Sequence, residues 1–261
     1  MAKQRTGAVS ESGRLGLPAT VVACLFDLDG VLTETARVHA DAWKTMFDAF
    51  LKQRAAADGS RFKPFDKVSD YDEYVDGKPR ADGVRSFLAS RHIEIPEGGN
   101  TDPPGKDTVH GLGHRKDRLF LDLIHRDGVR PYEGSVRYLH AVREAGFRTA
   151  VVSSSKNCSE VLKAAKLDGL FDGQVDGKVA EAEHLKGKPA PDTYLRAARM
   201  LGAHAGQAAV YEDALAGVQA GRAGRFGLVV GVDRTGQAAE LRAHGADIVV
   251  SDLADLMRAP R

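Results

Sequence analysis

Cysteine is nearly missing: Cys24 and Cys158 are the only two in 261 residues, and they do not form a CxxC pair. That excludes a disulfide framework and a cysteine-built zinc site, and it implies a reducing, cytoplasmic setting. An excess of one charge is missing too. With 37 Lys and Arg against 36 Asp and Glu the formal charge is +1 at neutral pH, which offers no electrostatic footprint for nucleic acid or an anionic membrane. No apolar run approaches the roughly 18 residues of a membrane span. Lys3 and Arg5 are followed by no hydrophobic segment of a secretory leader. The expectation is a monomer that binds neither nucleic acid nor membrane. What remains is 43% hydrophobic, enough for a sizeable core in one large domain or two modest ones.

The apolar run over residues 21–26 ends on Asp27, Leu28, Asp29 and Gly30. Such a run predicts a central strand covered on both faces. Downstream, Val38, Ala42, Trp43, Met46, Phe47, Phe50 and Leu51 recur at helical spacing and predict a long helix over 36–52. Residues 53–70 and 93–111 hold Gly, Pro, Asp and Lys with little periodicity and read as loops around short helices at 82–92 and 114–127. From Val129 apolar runs at 149–153, 208–212, 226–232 and 247–251 alternate with helical stretches, which predicts parallel strands joined by crossovers. The expected fold is α/β, a doubly wound parallel-sheet core over 19–35 and 128–261 with a helical insert over 36–127. Residues 1–18, rich in Gly, Ser and charge and ending at Pro18, read as a flexible leader.

Parallel strands carry their carboxyl ends to one edge of the sheet, where ligands bind. That edge gathers Asp27 and Asp29, the run Ser153-Ser154-Ser155-Lys156-Asn157, the turn Gly187-Lys188-Pro189, and Glu212-Asp213. Phosphoryl transfer needs such a set, because catalysis is mostly positioning plus electrostatic stabilisation of a dispersed negative charge. Asp27 is the candidate nucleophile and Asp29 the candidate proton donor. A calcium loop is the alternative for this pair, but a further Asp or Asn ligand and the distal Glu are missing at the required spacing.

The order of these motifs resembles the haloacid dehalogenase superfamily of phosphotransferases over about residues 20–255. Within it the chain looks most like the β-phosphoglucomutase family, through residues 26–35, His39, Trp43, residues 153–157 and 187–192. The resemblance implies a phosphorylated Asp27, one Mg2+ ion and a helical cap over a small phosphorylated sugar. Mg2+ would take a carboxylate of Asp27, the Asp29 carbonyl and a carboxylate of Asp213, with Glu212 behind them. Lys188 would offset the phosphoryl charge. Ser153, with the Thr33 or Ser154 amides, would complete the phosphate cradle. The resemblance places a second phosphate on Arg80, Ser155 and Asn157, in reach of the neighbouring Gly77, Lys78 and Lys156, and a sugar contact on Lys116. It also gives Thr35 and His39 a part in coupling cap closure to Asp29.

Each of these has a plainer reading. Acids favour helix N-termini, serines cap helices, and a lysine in a turn or an arginine in a loop is commonly solvated. Trp43 reads as packing within the insert rather than as a sugar platform. Three functions stay open: a mutase, a phosphatase on the same scaffold, and a non-catalytic phosphosugar-binding protein.

Overall fold

The computed structural model describes residues 12–257. The chain divides into two compact units, one built from the segments that end at Glu34 and resume at Arg130, the other from Thr35–Val129.

The first unit holds one six-stranded sheet of β1 (Ala23–Phe26), β2 (Arg148–Val152), β3 (Gly173–Val175), β4 (Ala208–Glu212), β5 (Leu228–Val232) and β6 (Ile248–Val250). Every pairing is parallel, in the order β3-β2-β1-β4-β5-β6. Because β1 lies between two neighbours and under helices, all four of its residues are buried, which is why its sequence is continuously apolar rather than alternating. β3 escaped the sequence reading: three residues that begin at a glycine on the sheet edge give no apolar run.

Leu25, Val152, Tyr194, Val210 and Val218 share the core, and burying each such side chain contributes roughly 1.5–3 kcal/mol. Beside them Phe26 stacks on Tyr211 at 4.5 Å between centroids. The Tyr138 hydroxyl donates to the Leu15 carbonyl at 2.8 Å and lies 2.9 Å from the Tyr211 hydroxyl, so Tyr211 donates to Tyr138. Cys24, whose pKa burial pushes up to about 12, donates in turn to Tyr211. This chain of hydroxyls corrects the flexible leader in part. Leu15 and Leu17 are buried, so the segment from Ser12 is packed, while residues 1–11 lie outside the described residues.

The second unit is helical: Thr35–Asp58, a π-helical turn at Tyr71–Val75, Arg80–Ser90 and Val109–Asp127. Trp43, Phe47, Phe65, Phe87 and Leu112 form its core, with Phe47 and Phe87 rings 4.1 Å apart. Two expected loops are shorter than the sequence implied. Residues 53–58 continue the first helix, since Gln, Arg and Ala propagate a helix without an apolar stripe. The last helix starts five residues before 114 because the Thr108 hydroxyl caps it, accepting from Gly111 N–H at 3.0 Å. Phe65, inside the first expected loop, is a core residue. The Asp48 carboxylate accepts its N–H at 2.8 Å, and Lys44 donates to its carbonyl at 2.8 Å.

Candidate active site

Register brings the first carboxylate into place. Phe26 pairs with Val151 on one side and Tyr211 on the other, so Asp27 falls level with Val152 and Glu212. Its N–H continues the ladder to the Tyr211 carbonyl at 3.0 Å. The crevice between β1 and β4 is also where the strand order reverses, the topological switch at which α/β sheets bind ligands.

Past Asp27 the chain turns sharply. Gly30 N–H donates to Thr33 O at 2.8 Å, and the Leu32 and Thr33 amides both return to Leu28 O. Gly30 has a φ of +83°, and a Cβ there would lie 1.7 Å from Asp213 Oδ2. Only glycine lets the Asp213 carboxylate come that close.

Lys188 is the hub. Nearly buried, it pairs with both Asp27 Oδ1 and Glu212 Oε1, and its ammonium lies 5.0 Å from the centre of the Tyr194 ring. Tyr194 donates its hydroxyl to the same Glu212 oxygen at 2.9 Å, while Glu212 Oε2 accepts the Ala214 N–H at 3.1 Å. Burial pushes the Asp27 carboxyl well above the usual carboxylate range, with Glu212 and Asp29 adding to it and Lys188 opposing. Burial alone would lower Lys188, but Asp27 and Glu212 outweigh it and push the ammonium up. Asp27 and Lys188 both hold their protons more tightly than they would in water.

Asp27, Glu212 and Asp213 each offer a carboxylate oxygen within 4.8 Å of the others. Fully ionised, three carboxylates against one ammonium would carry two negative charges in excess, which burial opposes and a cation would offset, and every donor is a hard oxygen. A divalent cation of the magnesium type fits that set. Glu212 has both oxygens engaged and is fully buried, which places it behind Asp27 and Asp213.

The loop after β2 approaches from the other side. Ser153 hydroxyl donates to Asp29 Oδ2 at 3.4 Å and accepts the Ser155 N–H at 3.1 Å; the Ser155 hydroxyl accepts the Asn157 N–H at 3.1 Å. Both hydroxyls therefore shape the turn, and Ser153 also reaches the acid. Gly177 closes against this loop, donating to the Ser155 carbonyl at 3.0 Å, and a Cβ on it would stand 2.8 Å from the Ser154 carbonyl. Lys156 is committed elsewhere, in an exposed pair with Glu181 at 2.7 Å.

Within the helical unit, Thr35 is buried at the start of the first helix. His39 stacks on Phe120 at 3.9 Å, and its Nδ1 is bonded by Lys116, itself buried with its ammonium over Trp43 and Phe120. Trp43 is core packing, stacked on Phe47 at 5.2 Å. Gly77 takes a φ of +68°, and Lys78 donates to Glu73 O and Ser86 Oγ, each at 3.0 Å; burial lowers its pKa. Arg80 is ion-paired with Asp117.

Two residues of the site escaped sequence reasoning. Tyr194 looks like any apolar helix position. Gly217 lies inside the helix Leu215–Ala223, where a Cβ would sit 1.7 Å from Glu212 Oε1. A glycine in the interior of an apolar helix costs about 1 kcal/mol against alanine, and that cost is the signal that could have found it.

A doubly wound sheet that gathers four carboxylates, of Asp27, Asp29, Glu212 and Asp213, and one buried lysine at its switch point defines an enzyme of phosphoryl transfer. The haloacid dehalogenase-like hydrolase model matches residues 21–225. A protein named Beta-phosphoglucomutase from Mycobacterium bovis is 57% identical over 246 residues, covering 93% of this chain and 94% of its own length. Another of that name from Bacillus subtilis is 32% identical, covering 90% and 91%. A crystal structure of β-phosphoglucomutase from Clostridium difficile superposes with a TM-score of 0.69 at 24% identity, over 90% of this chain and 93% of that one. The chain belongs to the haloacid dehalogenase-like hydrolases, in their β-phosphoglucomutase branch. Among the described residues no helix is long and apolar enough to cross a membrane.

Proposed function

We propose that this protein is a Mg2+-dependent β-phosphoglucomutase, a cytoplasmic monomer that interconverts β-glucose 1-phosphate and glucose 6-phosphate through the 1,6-bisphosphate. The observation that carries the reading is the Lys188-anchored Asp27 beside Asp29 and Asp213; the 57% identity to a protein of that name narrows the substrate.

Asp27 attacks phosphorus, and Lys188, by gripping Oδ1, leaves Oδ2 as the attacking oxygen. The P–O bond to the sugar breaks, its electron pair stays on the sugar oxygen, and that oxygen takes the proton of Asp29. The sugar attacked in this step is the 1,6-bisphosphate; in the other half-reaction Asp29 removes the proton of the free hydroxyl of a sugar monophosphate, and that oxygen attacks the aspartyl phosphate, which forms the 1,6-bisphosphate and frees Asp27. The Ser153 hydroxyl aims the Asp29 carboxylate through its bond to Oδ2. Asp27 and Asp213, with the Asp29 carbonyl, would hold Mg2+, which would supply positive charge against the phosphoryl oxygens. Arg80 suits a phosphate that is held but not cleaved, the anion replacing Asp117 on the guanidinium.

The test is to incubate the protein with β-glucose 1-phosphate, Mg2+ and a trace of the 1,6-bisphosphate, and to measure glucose 6-phosphate and free phosphate together. Rapid isomer formation with little free phosphate supports the mutase. Dominant phosphate release makes the protein a phosphatase, and binding without turnover makes it a sensor. Asp27→Asn abolishes turnover; activity that persists removes Asp27 as the nucleophile. Chelating the divalent cation stops the reaction, and Mg2+ restores it.

A further inference from the structure

The loop after β5 folds around one carboxylate. Asp233 Oδ1 accepts the N–H groups of Thr235, Gly236 and Gln237 at 3.2, 2.7 and 2.9 Å, and the fold so fixed carries two side chains to opposite parts of the site. Arg234 Nε donates to Gly30 O at 2.9 Å, and Nη2 donates to Val31 O at 3.3 Å and Ser135 Oγ at 3.1 Å. Nη1 donates to Ser251 O at 2.8 Å and lies 3.5 Å from Asp252 Oδ2, while the guanidinium carbon lies over the Tyr132 ring, 3.6 Å from its centre. From the same loop, Gln237 Nε2 donates to Asp213 O at 3.3 Å.

We propose that Arg234 is a positioning residue for the reaction. By holding the Gly30 and Val31 carbonyls it fixes the turn that presents Asp29, and with Gln237 it ties that turn to the loop of Asp213. The role rests on the reading of Asp29 as the acid and base. Asp27 has its own anchors, the β1 ladder and Lys188, whereas Asp29 is followed at once by the clamped carbonyls. Losing Arg234 therefore loosens the proton donor more than the nucleophile. Only arginine fits here, since a planar fork with five donors reaches these partners while stacking on a ring, and a lysine has three donors and no plane.

The experiment compares Arg234→Ala and Arg234→Lys with the unaltered protein on β-glucose 1-phosphate and on 4-nitrophenyl phosphate, whose leaving group departs without a proton. For the sugar phosphate kcat falls about 30-fold with KM within about threefold, as loss of aligned general acid catalysis requires. For the aryl phosphate the loss stays below about fivefold, and Arg234→Lys resembles Arg234→Ala in both. Independently of turnover, amide hydrogen exchange over residues 28–33 rises about tenfold or more in both variants while β1 keeps its protection. Equal losses on the two substrates, rescue by lysine, or unchanged exchange over 28–33 overturns the proposal. If the unaltered protein ignores β-glucose 1-phosphate, the substrate reading fails by itself, and the exchange measurement still decides on Arg234.

Discussion

In the sheet unit the polar groups of the site are set by the backbone; in the helical unit they are set by side-chain packing. Asp27 and Glu212 are level because β1 and β4 pair in one register, and a shift of either strand would break every ladder bond in the middle of the sheet. His39, Lys116 and Trp43 meet because aromatic rings and an alkyl stem fill a shared space between helices. Arg80 is held by the partly exposed carboxylate of Asp117. On the proposed mechanism, the catalytic group that must not move is placed by the first means, and the groups that exchange partners by the second.

The comparison is broken most severely at Lys188. Lys188→Met leaves two buried carboxylates unpaired, which destabilises the fold by about 3–5 kcal/mol and lowers kcat by about 10³-fold. Urea unfolding and steady-state kinetics read both, and a stable, active variant removes the hub. In the helical unit, Phe87→Ala opens a cavity among Phe47, Phe65 and Tyr74 and costs about 3–5 kcal/mol. Hydrogen exchange should rise across residues 35–129 with the strands still protected; equal loosening of the sheet would join the two units into one cooperative block.

Smaller changes sharpen it. If Arg80 holds the second phosphate as proposed, Asp117→Asn removes the carboxylate that phosphate displaces, so KM for the sugar phosphate falls about two- to fivefold at constant kcat. A higher KM would mean Asp117 orients Arg80 instead of competing for it. Smallest is the effect of Asp72, in the π-helical turn. Burial, helped by Asp66, pushes its carboxyl up to about 6 from 3.8. With the folded value above the unfolded one, Asp72 favours the fold while protonated, fully below about pH 4, and loses that contribution as pH rises through about 6. Asp72→Asn should remove this dependence and, allowing for partial exposure, stabilise the fold at pH 7 by about 1 kcal/mol. Melting curves from pH 4 to 7 that keep their slope in the variant assign it to another group.

The same contrast explains what could be read from sequence. Apart from β3, the strand ends at the site announce themselves, because an apolar run that stops at an acid or a serine names both the strand and its polar edge, as at Asp27, Ser153 and Glu212. The helical unit gave less away. Phe62 and Val68 stand three residues to either side of Phe65, but Pro64 and the charged residues between them hide any helical pattern, so nothing local says that its ring completes a core and that Asp48 and Lys44 bracket its backbone. Arg80 was legible as a cation, but its Asp117 partner depends on how two helices lie together. Tyr194 and Gly217 were hidden for a further reason, since they act on Glu212 from two neighbouring helices and belong to no motif.

Gly30 and Gly217 give the centre an unusual sensitivity to added atoms. Conventional alanine scanning subtracts, and it would map the donors while leaving unseen the hollows that admit the Asp213 and Glu212 carboxylates. At these two places alanine intrudes, pressing a methyl group into the oxygen of an acid. A survey that replaces glycines outlines the mould, where the usual one outlines only the cast.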